Sequence, residues 1–142
     1  MKKLLLCLPL LLLASWMPEG DDHAFKGTFY NKENDITIAL DLYDTTLVAP
    51  NYSFLGKLNG YISGKLYDTW FATSHKIDQQ KAVVNFTNDL GSDEQRVQFS
   101  WGKKGELIYE AQGSNALRRA ENRRWIKIPA KMVFVRKESK QK

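Results

Sequence analysis

From Phe25 onwards the chain is dominated by apolar residues spaced two apart, and that spacing constrains the fold more than any other feature. Ile36, Ile38, Leu40 and Leu42 alternate with Asp35, Thr37 and Asp41, the pattern of a strand with one buried face. The same spacing recurs in Leu58, Gly60, Ile62 and Gly64, in Thr69, Phe71 and Thr73, and in Ala82, Val84 and Phe86. It returns in Val97, Phe99 and Trp101, in Leu107, Tyr109 and Ala111, and in Met132 and Phe134. Turn chemistry separates these runs: Asn31-Lys32-Glu33-Asn34, Asn59-Gly60, Asn88 to Glu94, and Trp101 to Glu106 with its two glycines. Glycine supplies the positive φ that tight hairpins demand. Gly56, Gly60 and Gly64 at equal spacing have a second reading, as points where a bent strand admits a neighbouring backbone.

About eight short strands follow from this pattern. A sheet with one apolar face cannot stay open, because its edges would pair with other chains. The local, sequential turns predict an all-β fold, a single up-and-down antiparallel β-barrel, with a β-sandwich as the alternative. An eight-stranded barrel is either filled by side chains or holds one small ligand. In the ligand-holding version the interior contacts are Phe54, Phe71, Phe86, Phe99, Trp101 and Tyr109. Gly113 to Arg124 breaks the alternation, and reads either as a helix of at most two turns capped by Ser114 or Asn115 or as a basic connecting loop.

Residues 1–20 form a separate unit. Lys2 and Lys3 precede an apolar run, Leu4 to Leu13, that closes on Ala14 and Ser15, which is the layout of a secretory signal peptide. The run is shorter than the roughly 20 residues a membrane-spanning helix needs. The expected organisation is therefore a signal peptide at 1–20, a barrel domain at 21–137 and a flexible basic tail at 138–142, in a protein delivered to the periplasm or secreted from a bacterial cell. The single cysteine, Cys7, lies in the signal. The processed chain then has no thiol, so disulfides play no part and stability rests on packing and backbone pairing.

Charge is unevenly spread. Residues 16–110 carry nine basic and fourteen acidic side chains, whereas residues 111–142 carry ten and two. Arg118, Arg119, Arg123 and Arg124, followed by Lys127, make a local positive surface suited to an anionic surface or an acidic partner. Export removes the chain from nucleic acid, and no span is expected in the mature chain.

Catalytic chemistry finds no foothold in the sequence. The only histidines are His23 and His75, and Ser74 beside His75 would point to the opposite face of a strand. Two distant histidines without a mature cysteine do not make a zinc site. Asn88, Asp89, Ser92, Asp93 and Glu94 cluster oxygen donors without the alternating spacing of a calcium loop. No phosphate-binding glycine loop is present. The expectation is a non-enzymatic protein without metal or cofactor, binding a small apolar ligand or lipid. The alternative is an envelope protein–protein interaction module such as a hydrolase inhibitor or immunity protein.

The cysteine-free all-β domain, the late Trp125-Ile126-Lys127-Ile128-Pro129 element and the final Met132 to Val135 strand together resemble the small exported lipocalin-like, or calycin-like, barrels of bacteria. Gly27-Thr28-Phe29 stands where the lipocalin family has Gly-x-Trp, with phenylalanine in place of tryptophan. The resemblance implies an up-and-down barrel with ligand binding at or inside its mouth. Bacterial periplasmic lysozyme inhibitors are similar in size and build, and Ser63-Gly64-Lys65 resembles their inhibitory loop.

Overall fold

The computed structural model describes residues 23–137; the expected signal peptide and the 138–142 tail lie outside them. Ten strands form: β1 Lys26–Asn31, β2 Ile36–Asp41, β3 Gly60–Gly64, β4 Trp70–Asp78, β5 Lys81–Asn88, β6 Glu94–Trp101, β7 Leu107–Ala111, β8 Arg118–Glu121, β9 Arg124–Lys127 and β10 Lys131–Arg136. Eight of them close an antiparallel barrel in the order β1-β10-β7-β6-β5-β4-β3-β2, and β8 with β9 forms a separate two-stranded sheet. The barrel is thus a meander whose last step leaves it, makes a hairpin and returns. Gly113 to Arg124, expected as a short helix or a basic loop, supplies the lead-in, β8 and the turn of that hairpin. Its two-residue turn, Asn122-Arg123, has positive φ at both positions, 53° and 66°, a mirror-image turn whose twist matches the strands it joins.

Inward positions follow the alternation. Ile36, Ile38 and Leu40 of β2, Ala82, Val84 and Phe86 of β5, and Leu107 and Tyr109 of β7 are buried in one continuous core. Cross-strand pairing sets aligned residues on the same face, as with Ile38 opposite Ile62 and Val84 opposite Val97. The interior is filled. Phe86, Phe99, Tyr109 and Phe134 are each fully buried, and they pack ring on ring at centroid distances of 6.3, 6.0 and 6.1 Å along that series.

Strand β4 departs from the expected phase. A bulge between Ala72 and Ser74 shifts its register against β5, and Trp70 rather than Phe71 enters the core. Phe71 faces the outer wall of the barrel, where it is still buried, and Tyr52 packs edge-on against it at 5.1 Å. Two of the sequence-predicted interior residues therefore lie elsewhere. Phe71 is on the outer wall, and Phe54 sits in a single 3-10 turn, Ser53–Leu55, and is 78% exposed. The long connection between β2 and β3 carries both Tyr52 and Phe54. It is organised by Asp41, whose buried carboxylate accepts hydrogen bonds from Thr46 Oγ1 at 2.7 Å, Asp44 N at 3.1 Å and Tyr43 N at 3.3 Å.

Glycine is required where backbones touch. At Gly64, φ is 122° and a Cβ would collide with the Asp35 carbonyl, which is the close approach that the glycine spacing suggested. Gly60 is similar, with a Cβ 3.1 Å from Ala39 O, whereas Gly56 faces open space.

Candidate functional site

Connections β1–β2, β3–β4 and β5–β6 define one end of the barrel, and the β8–β9 hairpin lies across it. Leu117, just before the hairpin, and Ile128, just after it, are buried in the core and pin it from both sides. Asn115 ties its base: the side chain accepts from Tyr109 Oη at 2.9 Å and donates to Ile128 O at 3.1 Å and Pro129 O at 2.9 Å. Burial raises the Tyr109 phenol above its ordinary pKa, so it stays protonated as the donor in that bond. Gln95 Oε1 accepts from Ala116 N at 2.6 Å, and Tyr67 N donates to Arg118 O at 2.9 Å.

Period-two pairing sorts the basic cluster into roles. Arg118 is opposite Lys127 and Ala120 opposite Trp125, so these four share one face; Arg119, Glu121, Arg124 and Ile126 share the other. The second face continues the alternation of buried Leu117 and Ile128 and turns towards the barrel. There Arg119 Nη1 donates to Asn34 O at 3.4 Å and its Nε lies 3.3 Å from Glu121, which also pairs with Lys65 at 3.5 Å. Arg119, expected as a contact residue, is instead a staple between hairpin and barrel. Arg118, Arg123, Arg124 and Lys127 enter no ion pair among the described residues.

The outward face is aromatic as well as cationic. The Arg118 guanidinium lies 4.3 Å from the centre of the Trp125 ring, and Tyr67 packs edge-on against the same ring at 4.8 Å. Trp125 is nevertheless 55% exposed and Tyr67 56%. Neither is among the contact residues that the sequence leads one to expect, although Trp125 belongs to the late Trp125–Pro129 element. The alternation Trp125, Ile126, Lys127, Ile128 holds the signal, because turning Ile126 and Ile128 inward turns the tryptophan towards solvent.

Beside Tyr67 lies a polar cluster. Asn88 Oδ1 accepts from Ser92 N and Asp93 N at 2.9 and 3.0 Å, and its amide donates to Ser92 Oγ and Asp68 Oδ2. These bonds make the Asn88 to Glu94 loop a side-chain-capped turn. Burial, reinforced by the neighbouring Asp89 carboxylate, pushes the Asp68 carboxyl above the usual range. Tyr52 Oη donates to Asp89 at 2.5 Å. No group of three His, Cys, Asp or Glu side chains converges on a metal position among the described residues.

Of the remaining sequence-predicted interior residues, Phe86, Phe99 and Tyr109 are core filling, and Trp101 lies half-buried at the opposite end of the barrel. Three concavities lie on the outer wall, at the foot of the hairpin and at that opposite end. In comparisons with known proteins, no family model, no curated protein and no solved structure matches the chain.

Proposed function

We propose that this is a non-enzymatic exported binding protein that docks on an anionic lipid surface through the outward face of the β8–β9 hairpin. The observation that carries the reading is the exposed Trp125 ring, held between Arg118 and Tyr67, with Lys127 on the same face and Arg123 at the hairpin tip. Tryptophan and tyrosine suit the headgroup level of a membrane, with an apolar body and a polar edge. Cations beside them add about 1 kcal/mol each near an anionic surface. A filled interior leaves a lipid to be met from outside rather than enclosed, which departs from the ligand-holding barrel that the lipocalin resemblance implies.

The test is co-sedimentation of the processed protein with phosphatidylglycerol and phosphatidylcholine vesicles. The expected result is binding to the anionic vesicles alone, weakened by salt. Replacing Arg118, Arg123 and Lys127 by Gln should weaken it about 100-fold, the equivalent of three surface charges. Equal binding to both vesicles, or none to either, contradicts the proposal. The second reading, an inhibitor or immunity protein, draws on the same trio, since Trp, Tyr and Arg dominate protein–protein hot spots. It requires a co-purifying envelope protein that Trp125→Ala releases.

A further inference from the structure

The far end of the barrel, away from the hairpin, is built differently. A half-open cavity of about 300 Å³ lies there, with Phe25 and Trp101 in its floor and Arg136, Gln79, Gln80 and Tyr43 around its rim. The two floor rings are tilted together at 5.1 Å. That volume equals roughly ten waters, which fits a ligand of about a dozen non-hydrogen atoms or fewer. Among the described residues, no acidic side chain lines it.

Arg136 gives the cavity its sign. Met132 and Phe134 occupy the inward positions of β10, and Arg136 takes the next one, opposite Phe29. Its guanidinium sits 4.7 Å from the centre of the Phe29 ring, while Nη1 donates to Lys26 O at 2.8 Å and Nη2 to Ala24 O at 3.1 Å. Gly27 leaves the room, since a Cβ there would strike Nη1. An arginine has five N–H donors in a rigid fork, and the hydrogen bonds formed here use two. The others belong to a cation already held in place, so little side-chain freedom remains to be lost on binding. Across the cavity, Gln79 occupies the first position of the two-residue turn between Asp78 and Lys81 with φ 59°. That conformation is costly for a side chain with a Cβ.

We infer that this mouth is a binding site for a small amphipathic monocarboxylate. Its apolar body would lie against Trp101, which the fully buried Phe25 backs from beneath, its carboxylate would face Arg136, and the Gln79 and Gln80 amides would close the rim. The site is independent of the membrane-docking reading and lies at the other end of the molecule. Its test is a titration of the ¹⁵N-labelled processed protein with phenylacetate and, separately, with its uncharged isostere phenylacetamide, read by chemical shift. Phenylacetate should give saturable shifts at the Trp101 indole and the Gln79 and Gln80 amides with a Kd of about 1 mM or below, and phenylacetamide should bind at least about tenfold more weakly. Because Arg136 also braces the fold, the discriminating variant is Gln79→Glu in the exposed turn. It should weaken phenylacetate by about tenfold and phenylacetamide by no more than about twofold, the difference being the repulsion between the two carboxylates. Shifts that do not saturate by about 20 mM, equal affinity for acid and amide, shifts centred away from this mouth, or no effect of Gln79→Glu on phenylacetate would each overturn the inference.

Discussion

Phe99→Ala tests whether the barrel is solid. Phe99 is fully buried and stands edge-on between Phe86 and Tyr109. Removing such a ring from a packed interior costs about 3–5 kcal/mol in transfer and cavity terms, and the loss of two edge-to-face contacts places it at the upper part of that range. A domain of this size has a total stability of roughly 6–17 kcal/mol, so the variant should still fold. Its melting temperature should fall by about 12–20 °C, with the urea midpoint falling and the slope unchanged. The space left should then bind benzene, as dry engineered cavities do, recovering part of the lost stability in the variant and adding none to the parent. Had the interior been an open calyx, truncating one lining ring would enlarge an existing space. A loss below about 1 kcal/mol, or a parent protein that benzene stabilises, would refute the packing described here.

Three further outcomes follow from local geometry. Gly64→Ala places a methyl against the Asp35 carbonyl at φ 122° and should cost about 2–5 kcal/mol in urea denaturation. Asp41→Ala removes three hydrogen bonds at a buried carboxylate and should cost about 3–5 kcal/mol at neutral pH. Burial alone would raise the Asp41 carboxyl, but the bonds from Thr46, Asp44 and Tyr43 with Lys26 outweigh it and hold it below its ordinary value. Its contribution is therefore present above the unfolded carboxylate pKa and lost as pH falls through the folded value, so parent and variant should converge in acid. Asp68 runs the other way: its carboxyl is raised by burial, so the ionised form opposes folding. Asp68→Asn should raise the melting temperature at about pH 7, with the gain vanishing once the parent carboxyl is protonated in both states.

Closure into an antiparallel meander was legible because period-two alternation and glycine-bearing turns agreed along most of the chain. The phase of β4 was not. Trp70 and Phe71 are adjacent and both apolar, and the bulge at Ala72/Ser74 changes which residues face inward, so spacing alone chose the wrong one. The hairpin was missed for a related reason. Arg118 to Lys127 holds good helix formers, and its positive-φ turn is made by Asn122 and Arg123 rather than by glycine. What decides for strands is tertiary: Leu117 and Ile128 can enter the core together only if the segment between them doubles back. Phe54 looked like an interior residue, yet it belongs to a loop held by Asp41, a long-range arrangement that local pattern does not reveal. Of the basic cluster, Arg118 and Lys127 stand on the open face and Arg123 at its tip, whereas Arg119 is taken up by Asn34 and Glu121.

The proposed docking requires a packed barrel that presents the hairpin across one end to an anionic surface. Hydrogen exchange of the processed protein, with and without phosphatidylglycerol vesicles, examines that claim most directly. The predicted result is slowed exchange confined to 117–128 and the adjoining 65–68 segment, with the barrel strands unchanged. Protection spread along the outer strands, or centred on the mouth at Gln79 and Trp101, would contradict it.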